Sequence, residues 1–505
     1  MKMVPNYKKS KPGQLNSVDR FSDLPDFIIH HIISFLGSKA AHRTSILSKR
    51  WSQITATNPV LEFRDCDNLD YIETRMQRYR KENLRIKELS LMLSANNVEL
   101  TCKVDEWVEI AVRNQVSKFV ISYLDDYKLP AILFTAKTLT RLDCSKVRIP
   151  YYKAVDFVSL KTLKLYFVVL EERMLDHIIS SCVLLKELRV SDCTGFKNIV
   201  IPTNSVLETL DLTETFPRGG AIILENSSLK EFLYIPKNDH NSDDPWPIIS
   251  KPGVFRNLTT LNISNVGVTD EVLAELLSEF TLLENLVFWG CHMLHSMKIS
   301  STRIKYICLN DCCNLLDIVI DAPNLKKFKF NGELYPSLSI SVTNNQGSCV
   351  ISVHTLPYYL DTNGFVKLKN LLTGLNGRNF LKISLLHESH EVRCDDIEFN
   401  EEELGNVHFG PPCDIRELKL RFLPWRLSES SLSAFINALF WICHPDIISL
   451  RIDLTVRNLT VEAFISKLEN MAKCWRHPLK RIQIEGTNNS SLYQRKLYVR
   501  LRLFW

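Results

Sequence analysis

From residue 86 onward the chain repeats one spacing: an apolar residue, two others, a second apolar residue, one other, and a third. It begins at Ile86, Leu89 and Leu91 and returns at Leu139, Leu142 and Cys144, then at Leu160, Leu163 and Leu165. It continues through Leu185, Leu188 and Val190, Leu207, Leu210 and Leu212, and Leu229, Phe232 and Tyr234. Leu258, Leu261 and Ile263 follow, then Leu283, Leu286 and Phe288, Ile304, Ile307 and Leu309, and Leu325, Phe328 and Phe330. Beyond a longer gap come Ile415, Leu418 and Leu420, Ile447, Leu450 and Ile452, and Leu479, Ile482 and Ile484, while Val116, Phe119 and Ile121 fit more loosely. The last two apolar positions of each unit alternate, so they share one face of a short strand, and the first anchors the incoming turn. A period of roughly 21 to 35 residues marks a solenoid, because one unit cannot bury its apolar face alone and a stack of them can.

Strand motifs of this form predict leucine-rich repeats, with parallel strands on a concave side and the linking segments on a convex side. Some links predict helices. Leu175, Ile178 and Ile179 share a face within 171–179, and the stretch 270–277 starts with acids and spaces its apolar residues helically. Cys193, Cys291 and Cys312 each stand three residues after the last apolar position of their unit, which predicts a buried structural place in the turn. The polar stretch from Pro236 to Gly253 predicts a surface loop, Thr343 to Ser348 a turn, and the acidic Glu388 to Gly405 a solvated loop.

Ahead of the repeats the pattern changes. Leu24, Ile28, Ile32 and Leu36 recur every four residues with Ile29 and Ile33 beside them, giving one wide helical stripe. Pro25 suits a first helical turn and Asp26 the positive end of the helix dipole. A second piece, Arg43 to Trp51, ends in a large aromatic. Short helices of this kind carry more apolar surface than they can bury among themselves, which points to a partner.

Composition is that of an ordinary globular chain: 505 residues, 45% hydrophobic and 24% charged, with a net charge of +5. The balance excludes bulk disorder and does not indicate nucleic-acid binding by charge. No apolar core follows the first residues and no run has the length of a membrane helix, so the reading expects a soluble protein of the nucleus and/or cytoplasm, without membrane contact. The 14 cysteines then lie in a reducing compartment without disulfides, and the acceptor-like Asn257 and Asn262 carry no glycan. Lys8, Lys9 and Lys11 read as a solvated basic tail, with a nuclear address as the alternative.

Candidate chemistry is sparse. His387 and His390 stand three apart, one short of the helix-face spacing of a zinc protease. Cys291, His292 and His295 near Cys312 and Cys313 lack a completed ligand set. No phosphate loop, dinucleotide fingerprint or nucleophile elbow occurs. Arg189 and Lys419 alternate with buried strand positions, and the choice there is between solvated residues and a groove for an anionic ligand.

Leu24-Pro25, the isoleucine stripe, Arg43 to Trp51 and the following Pro59 to Phe63 resemble the F-box of plant F-box/leucine-rich-repeat proteins. The repeats resemble the same family in Ser180 to Leu188 and Asp321 to Leu325, as does Cys474 to Lys480 near the end, an FBD-like C-terminal region. The resemblance implies an α/β chain: a flexible tail over residues 1–17, a small helical F-box over 18–63, and a leucine-rich-repeat horseshoe with irregular last repeats over 64–505. It implies a non-catalytic substrate-recognition subunit of a Skp–cullin–F-box ubiquitin ligase, without cofactor or metal. Its partners would be a Skp-family adaptor, through it a cullin, and a protein substrate held by the repeats. Leu24, Pro25, Ile28, Ile29, Ile32, Leu36, Leu47 and Trp51 would be the adaptor-facing or supporting set. Gly37, Ala40, His42 and Thr55 depart from the family's usual residues. Those at Gly37 and Ala40 motivate a second reading, a repeat-based binding scaffold whose degenerate F-box stands outside the ligase.

Overall fold

The computed structural model describes residues 24–36, 38–65, 67–93, 98–215, 220–225, 228–237, 247–250, 252–332, 336–341, 350–355, 362–374, 381–386, 411–421, 438–453, 480–489 and 496–504. The residues 1–17, Gly37, the stretch 343–348 read from sequence as a turn, His387, His390, Leu479 and the acidic stretch 388–405 lie outside them, as does the segment 238–246. The chain divides into two compact units, one of residues 1–148 and 152–160, the other of 149–151 and 161–505. Among the described residues no helix is long and apolar enough to cross a membrane.

The first unit opens with helices α1 (Asp26–Ser34), α2 (Ser38–Arg43) and α3 (Lys49–Ala56), with a 3-10 turn at Thr44–Ile46 between the last two. Ser48 caps α3, its hydroxyl accepting the Trp51 N–H at 3.2 Å. Ile29 and Ile33 of α1 meet Ala41, Trp51 and Ile54 in a buried core, with Leu24, Ile32 and Leu36 packed against it. Four parallel strands follow: β1 (Val60–Arg64), β2 (Glu88–Leu93), β3 (Lys118–Lys128) and β4 (Arg141–Ile149), with α4 (Leu69–Glu82) and α5 (Val98–Arg113) between the first three. Their register aligns Leu61, Leu89, Phe119 and Leu142, and then Phe63, Leu91, Ile121 and Cys144, all buried. The loosely fitting unit at Val116 is therefore a full rung. Val60–Arg64, at the end of the stretch that resembles the F-box, is the first strand of this ladder.

In the second unit the strands β5 (Thr162–Tyr166) and β6 (Val169–Leu170) precede α6 (Met174–Ser181). Then come β7 (Glu187–Ser191), β8 (Ile199–Ile201), β9 (Thr209–Thr213), β10 (Ile222–Leu224), β11 (Glu231–Ile235), β12 (Ile248–Ser250) and β13 (Thr260–Ser264). After α7 (Asp270–Glu279) follow β14 (Asn285–Trp289), β15 (Ser296–Ser300), β16 (Tyr306–Asn310), β17 (Asp317–Asp321), β18 (Lys327–Asn331) and β19 (Ser337–Ser341). The strands β5, β7, β9, β11, β13, β14, β16 and β18 pair in that order, all parallel. Leu163, Leu188, Leu210, Phe232, Leu261, Leu286, Ile307 and Phe328 form one buried row across them. Apolar burial at about 25 cal/mol per Å² makes such rows the dominant favourable term.

Both predicted helical links are helices: Leu175, Ile178 and Ile179 of α6 are buried, and α7 carries a Thr269 cap with Leu273 and Leu276 inside. Other links are strands. Two further parallel sheets, β8–β10–β12 and β15–β17–β19, form from them. Ile248–Ser250 thus corrects the reading of Pro236 to Gly253 as loop throughout: it pairs with β10, placing Ile248 beside Ile222.

Six of the eight strands from β5 to β18 in this ladder end in a sharp turn. Phe167, Asp192, Glu214, Asn265, Gly290 and Asp311 all have positive φ immediately after a strand. The Phe167 N–H donates to Ser191 O at 2.9 Å, Asp192 to Thr213 O at 2.9 Å, and Gly290 to Asn310 O at 2.9 Å. The predicted turn cysteines are buried just beyond: the Val168 N–H donates to Cys193 Sγ at 3.4 Å, and Cys312 Sγ donates to Asn310 O at 3.5 Å.

The gap after Phe330 is occupied. β20 (Val350–Thr355), α8 (Thr362–Gly374) and β21 (Leu381–Leu386) lie in it, and the ladder runs through both strands. In sequence Ser348 and Arg378 stand at the anchor position, so the three-residue pattern breaks there. β22 (Cys413–Arg421) and β23 (Cys443–Asp453) continue in parallel, but Leu418 pairs with Ile448 and Leu420 with Leu450. That register corrects the assignment of Leu450 and Ile452 to the positions of Leu418 and Leu420 by two residues. The last motif is no parallel rung at all. β24 (Arg481–Asn489) and β25 (Lys496–Phe504) are antiparallel, and β25 pairs antiparallel with β23. A link of six residues, 490–495, is too short for a parallel crossover.

Candidate functional site

The helical core of the first unit leaves apolar surface uncovered. Phe27 is 69% exposed and Phe35 77%, at the two ends of α1, and Ile46 at 87% and Leu47 at 63% protrude from the 3-10 turn. A helix of nine residues has room for one buried row, and Ile29 and Ile33 take it. Phe27, His31 and Phe35 stand four apart on another face, with the His31 and Phe35 rings edge to face at 4.8 Å between centroids. Exposed aromatic and aliphatic residues on one small helical unit give surface suited to a protein partner.

The sequence-predicted set divides across this unit. Ile29 and Trp51 are core residues, buried against Ile33, Ala41 and Ile54. Leu24, Ile32 and Leu36 flank the core half-buried, as Ile28 is half-buried, while Pro25 and Leu47 are exposed. Phe27, Phe35 and Ile46 escape a reading of the stripe alone. Their signal is a large apolar residue on the side of an amphipathic helix, or in a turn, where a polar one is expected.

Polar contacts fix the helices. Arg50 Nη2 donates to Leu24 O at 2.5 Å and Arg50 Nε to Asp26 Oδ1 at 2.9 Å, tying α3 to the start of α1. Thr44 Oγ1 donates to Ala41 O at 2.6 Å and Thr55 Oγ1 to Trp51 O at 2.7 Å. Thr55 is buried and, with Ala41, Leu61, Tyr71 and Arg75, lines a small cavity. Its short side chain leaves this space where the resemblance leads one to expect tryptophan. Arg75 of α4 donates to Ala56 O at 3.3 Å and Thr55 O at 3.2 Å, closing the end of α3. The Tyr79 hydroxyl donates to Asn58 O, and burial pushes its pKa up to about 12. Helices and first strands are thereby one packed body.

The polar face of the ladder in the second unit is the other surface of interest. Arg189 is no open anion site: it donates to Glu187 at 2.6 Å and Asp211 at 3.0 Å, and Lys164 pairs with Glu187 at 3.0 Å. Those hydrogen bonds hold the Glu187 carboxyl below its ordinary range against the opposing effect of burial. Lys419 lies 4.0 Å from Glu417. Among the described residues no group of three or more His, Cys, Asp and Glu side chains is placed to hold a metal. His292 Nδ1 accepts the Cys313 N–H at 3.3 Å, and the His295 N–H donates to Asp270 at 2.9 Å, so these residues join turns. A hydrogen bond with Cys291, together with burial, pushes the Cys312 thiol far up.

Comparison with known proteins matches both parts of the chain. An F-box domain profile matches residues 21–63, and the profile described as At1g61320/AtMIF1, LRR domain, matches residues 76–230 and 247–373. The Arabidopsis thaliana F-box/FBD/LRR-repeat protein At5g22670 is 27% identical over 414 residues, 71% of this chain and 92% of that protein. The F-box/LRR-repeat protein At3g28410 of the same plant is 23% identical over 372 residues, covering 71% and 75%. A third Arabidopsis thaliana relative, F-box/FBD/LRR-repeat protein At5g56420, is 34% identical over 210 residues, covering 38% and 49%.

Proposed function

We propose, from the premise that this chain belongs to the At1g61320/AtMIF1 leucine-rich-repeat family and carries an F-box ahead of its repeats, that it is a substrate-recognition subunit of a Skp–cullin ubiquitin ligase. The F-box docks on a Skp-family adaptor, the adaptor joins a cullin, and the repeats hold a protein substrate. The chain supplies no catalytic group. Its contribution is proximity, which converts a bimolecular encounter between substrate lysine and ubiquitin thioester into a local one.

The observation that carries this reading is the exposure of the large apolar side chains Phe27, Phe35, Ile46 and Leu47 on the segment that matches the F-box. In this reading Pro25, Ile28, Ile32 and Leu36 extend that surface toward the adaptor. Ile29 and Trp51 support it from beneath, and Leu24 joins the two layers through its half-buried side chain and the Arg50 contact. Ala40 is exposed, so its small size opens no core space.

Co-purification tests it. The wild-type chain should retain a plant Skp adaptor through gel filtration. A Leu24→Ala/Pro25→Ala double variant and a Phe35→Glu/Ile46→Glu double variant should lose it while keeping the wild-type circular dichroism. A folded wild-type chain that never retains the adaptor leaves the repeat-based scaffold outside the ligase as the better reading.

A further inference from the structure

The polar face of the second unit's ladder is not uniform. Across β5, β7 and β9 the outward positions Lys164, Glu187, Arg189 and Asp211 close into ion pairs whose charges sum to zero. Over β11, β13 and β14 the same middle row reads Leu233, Asn262 and Val287, in direct register. Trp289 ends β14 on that face and is 53% exposed. On β18 the outward residues are Lys327 and Lys329, neighbours of Tyr306 and Cys308 in the ladder. Lys327 Nζ lies over the Tyr306 ring at 5.4 Å, and among the described residues neither lysine has an ion-pair partner. A half-exposed area of Leu233, Val287 and one exposed indole, with Glu231 at its β11 edge, thus lies between a neutralised charge network and two lysines that have no ion-pair partner among the described residues. Tryptophan in such a setting is the residue type most enriched at binding hot spots, and the flanking charge decides which partners are accepted.

We propose that this surface, on the ligase reading given above, is the substrate-reading site, and that it takes an extended segment of the substrate with one large apolar side chain and an acidic residue about three positions away. The apolar side chain rests on Leu233, Val287 and Trp289. The carboxylate meets Lys327 and Lys329. Spacing follows from the sheet: β14 and β18 are two rungs apart, roughly 10 Å, and an extended chain covers that distance in about three residues at ~3.3 Å each. Basic segments are disfavoured by the charge of Lys327 and Lys329, whereas Glu187 and Asp211 are already bound.

The test uses the full chain and two fluorescein-labelled probes read by anisotropy. One is Ser-Gly-Phe-Ser-Ser-Asp-Asp-Ser-Gly, and the other replaces both aspartates by lysine. The acidic probe should bind the wild-type chain at least about tenfold more tightly than the basic one, and Trp289→Ala should weaken it by about tenfold or more. Lys327→Glu/Lys329→Glu should invert the preference, a result that misfolding does not produce. The proposal is overturned if neither probe binds, if Trp289→Ala binds as the wild type does, or if the double glutamate variant still prefers the acidic probe. Adaptor co-purification of the same variants separates the two readings. Retained adaptor with failed probe binding removes only this site, and lost adaptor in a wild-type chain that still discriminates the probes removes only the ligase role.

Discussion

Arg50 on the third helix grips Asp26 at the start of the first, its Nε and Nη2 donating to Oδ1 at 2.9 and 2.5 Å. The contact joins residues far apart in sequence and orients α1, whose ends carry Phe27 and Phe35. Both partners are substantially exposed, so the pair itself contributes little, about 0–1 kcal/mol. The Arg50→Ala variant should lose about 1 kcal/mol in urea unfolding, since the Leu24 carbonyl also loses its donor, and Asp26→Ala less.

Trp51 and Leu47 separate packing from binding. Truncating the buried Trp51 to Ala should cost about 3–5 kcal/mol and leave the helical unit unfolded or loosened in near-UV circular dichroism. Leu47→Ala, at an exposed position, should stay within about 0.5 kcal/mol of wild type and yet weaken adaptor retention in gel filtration.

The ladder was legible residue by residue because its signal is local. Leu163, Leu188 and Leu210 stand in the register that their spacing predicts, and Cys193, Cys291 and Cys312 are buried in their turns. β20 and β21 escaped because their anchor positions hold Ser348 and Arg378. The closing antiparallel pair escaped because Ile482 and Ile484 alternate in the same way whether the neighbouring strand runs parallel or not. At the candidate site the limit was of another kind. A helical stripe shows which residues are apolar, but not that Ile29 and Ile33 would fill the core and leave Phe27 and Phe35 outside. Ion pairing across strands, as between Arg189 and Asp211, depends on register rather than on any local pattern.

Gly195 is a position where the neighbouring backbone leaves no room for a side chain. It has φ +97, and a Cβ there would lie 1.6 Å from Leu170 O. The Gly195→Ala variant should be destabilised by about 3 kcal/mol or more, read as a drop in the urea midpoint with the slope unchanged.

Glu208 gives the ladder an acid-sensitive contact. Lys186 and Lys230 each donate to its carboxylate at 2.8 Å and hold it from 4.5 down to about 2. A carboxyl depressed in the folded state stabilises above its unfolded pKa, and the contribution fades as pH falls through the folded value. The window is therefore from about pH 4.5 to about pH 2. Carbon-detected NMR should show Glu208 titrating near the lower end, and Glu208→Gln should flatten the acid dependence of stability across that window.

The most direct test of the central claim is hydrogen–deuterium exchange of the full chain with and without a saturating plant Skp adaptor. The account predicts slowed exchange in peptides covering Leu24–Leu36 and Thr44–Trp51, with the ladder strands β5 to β18 unchanged. Unaltered exchange over both helical segments, or protection confined to the ladder, would contradict it.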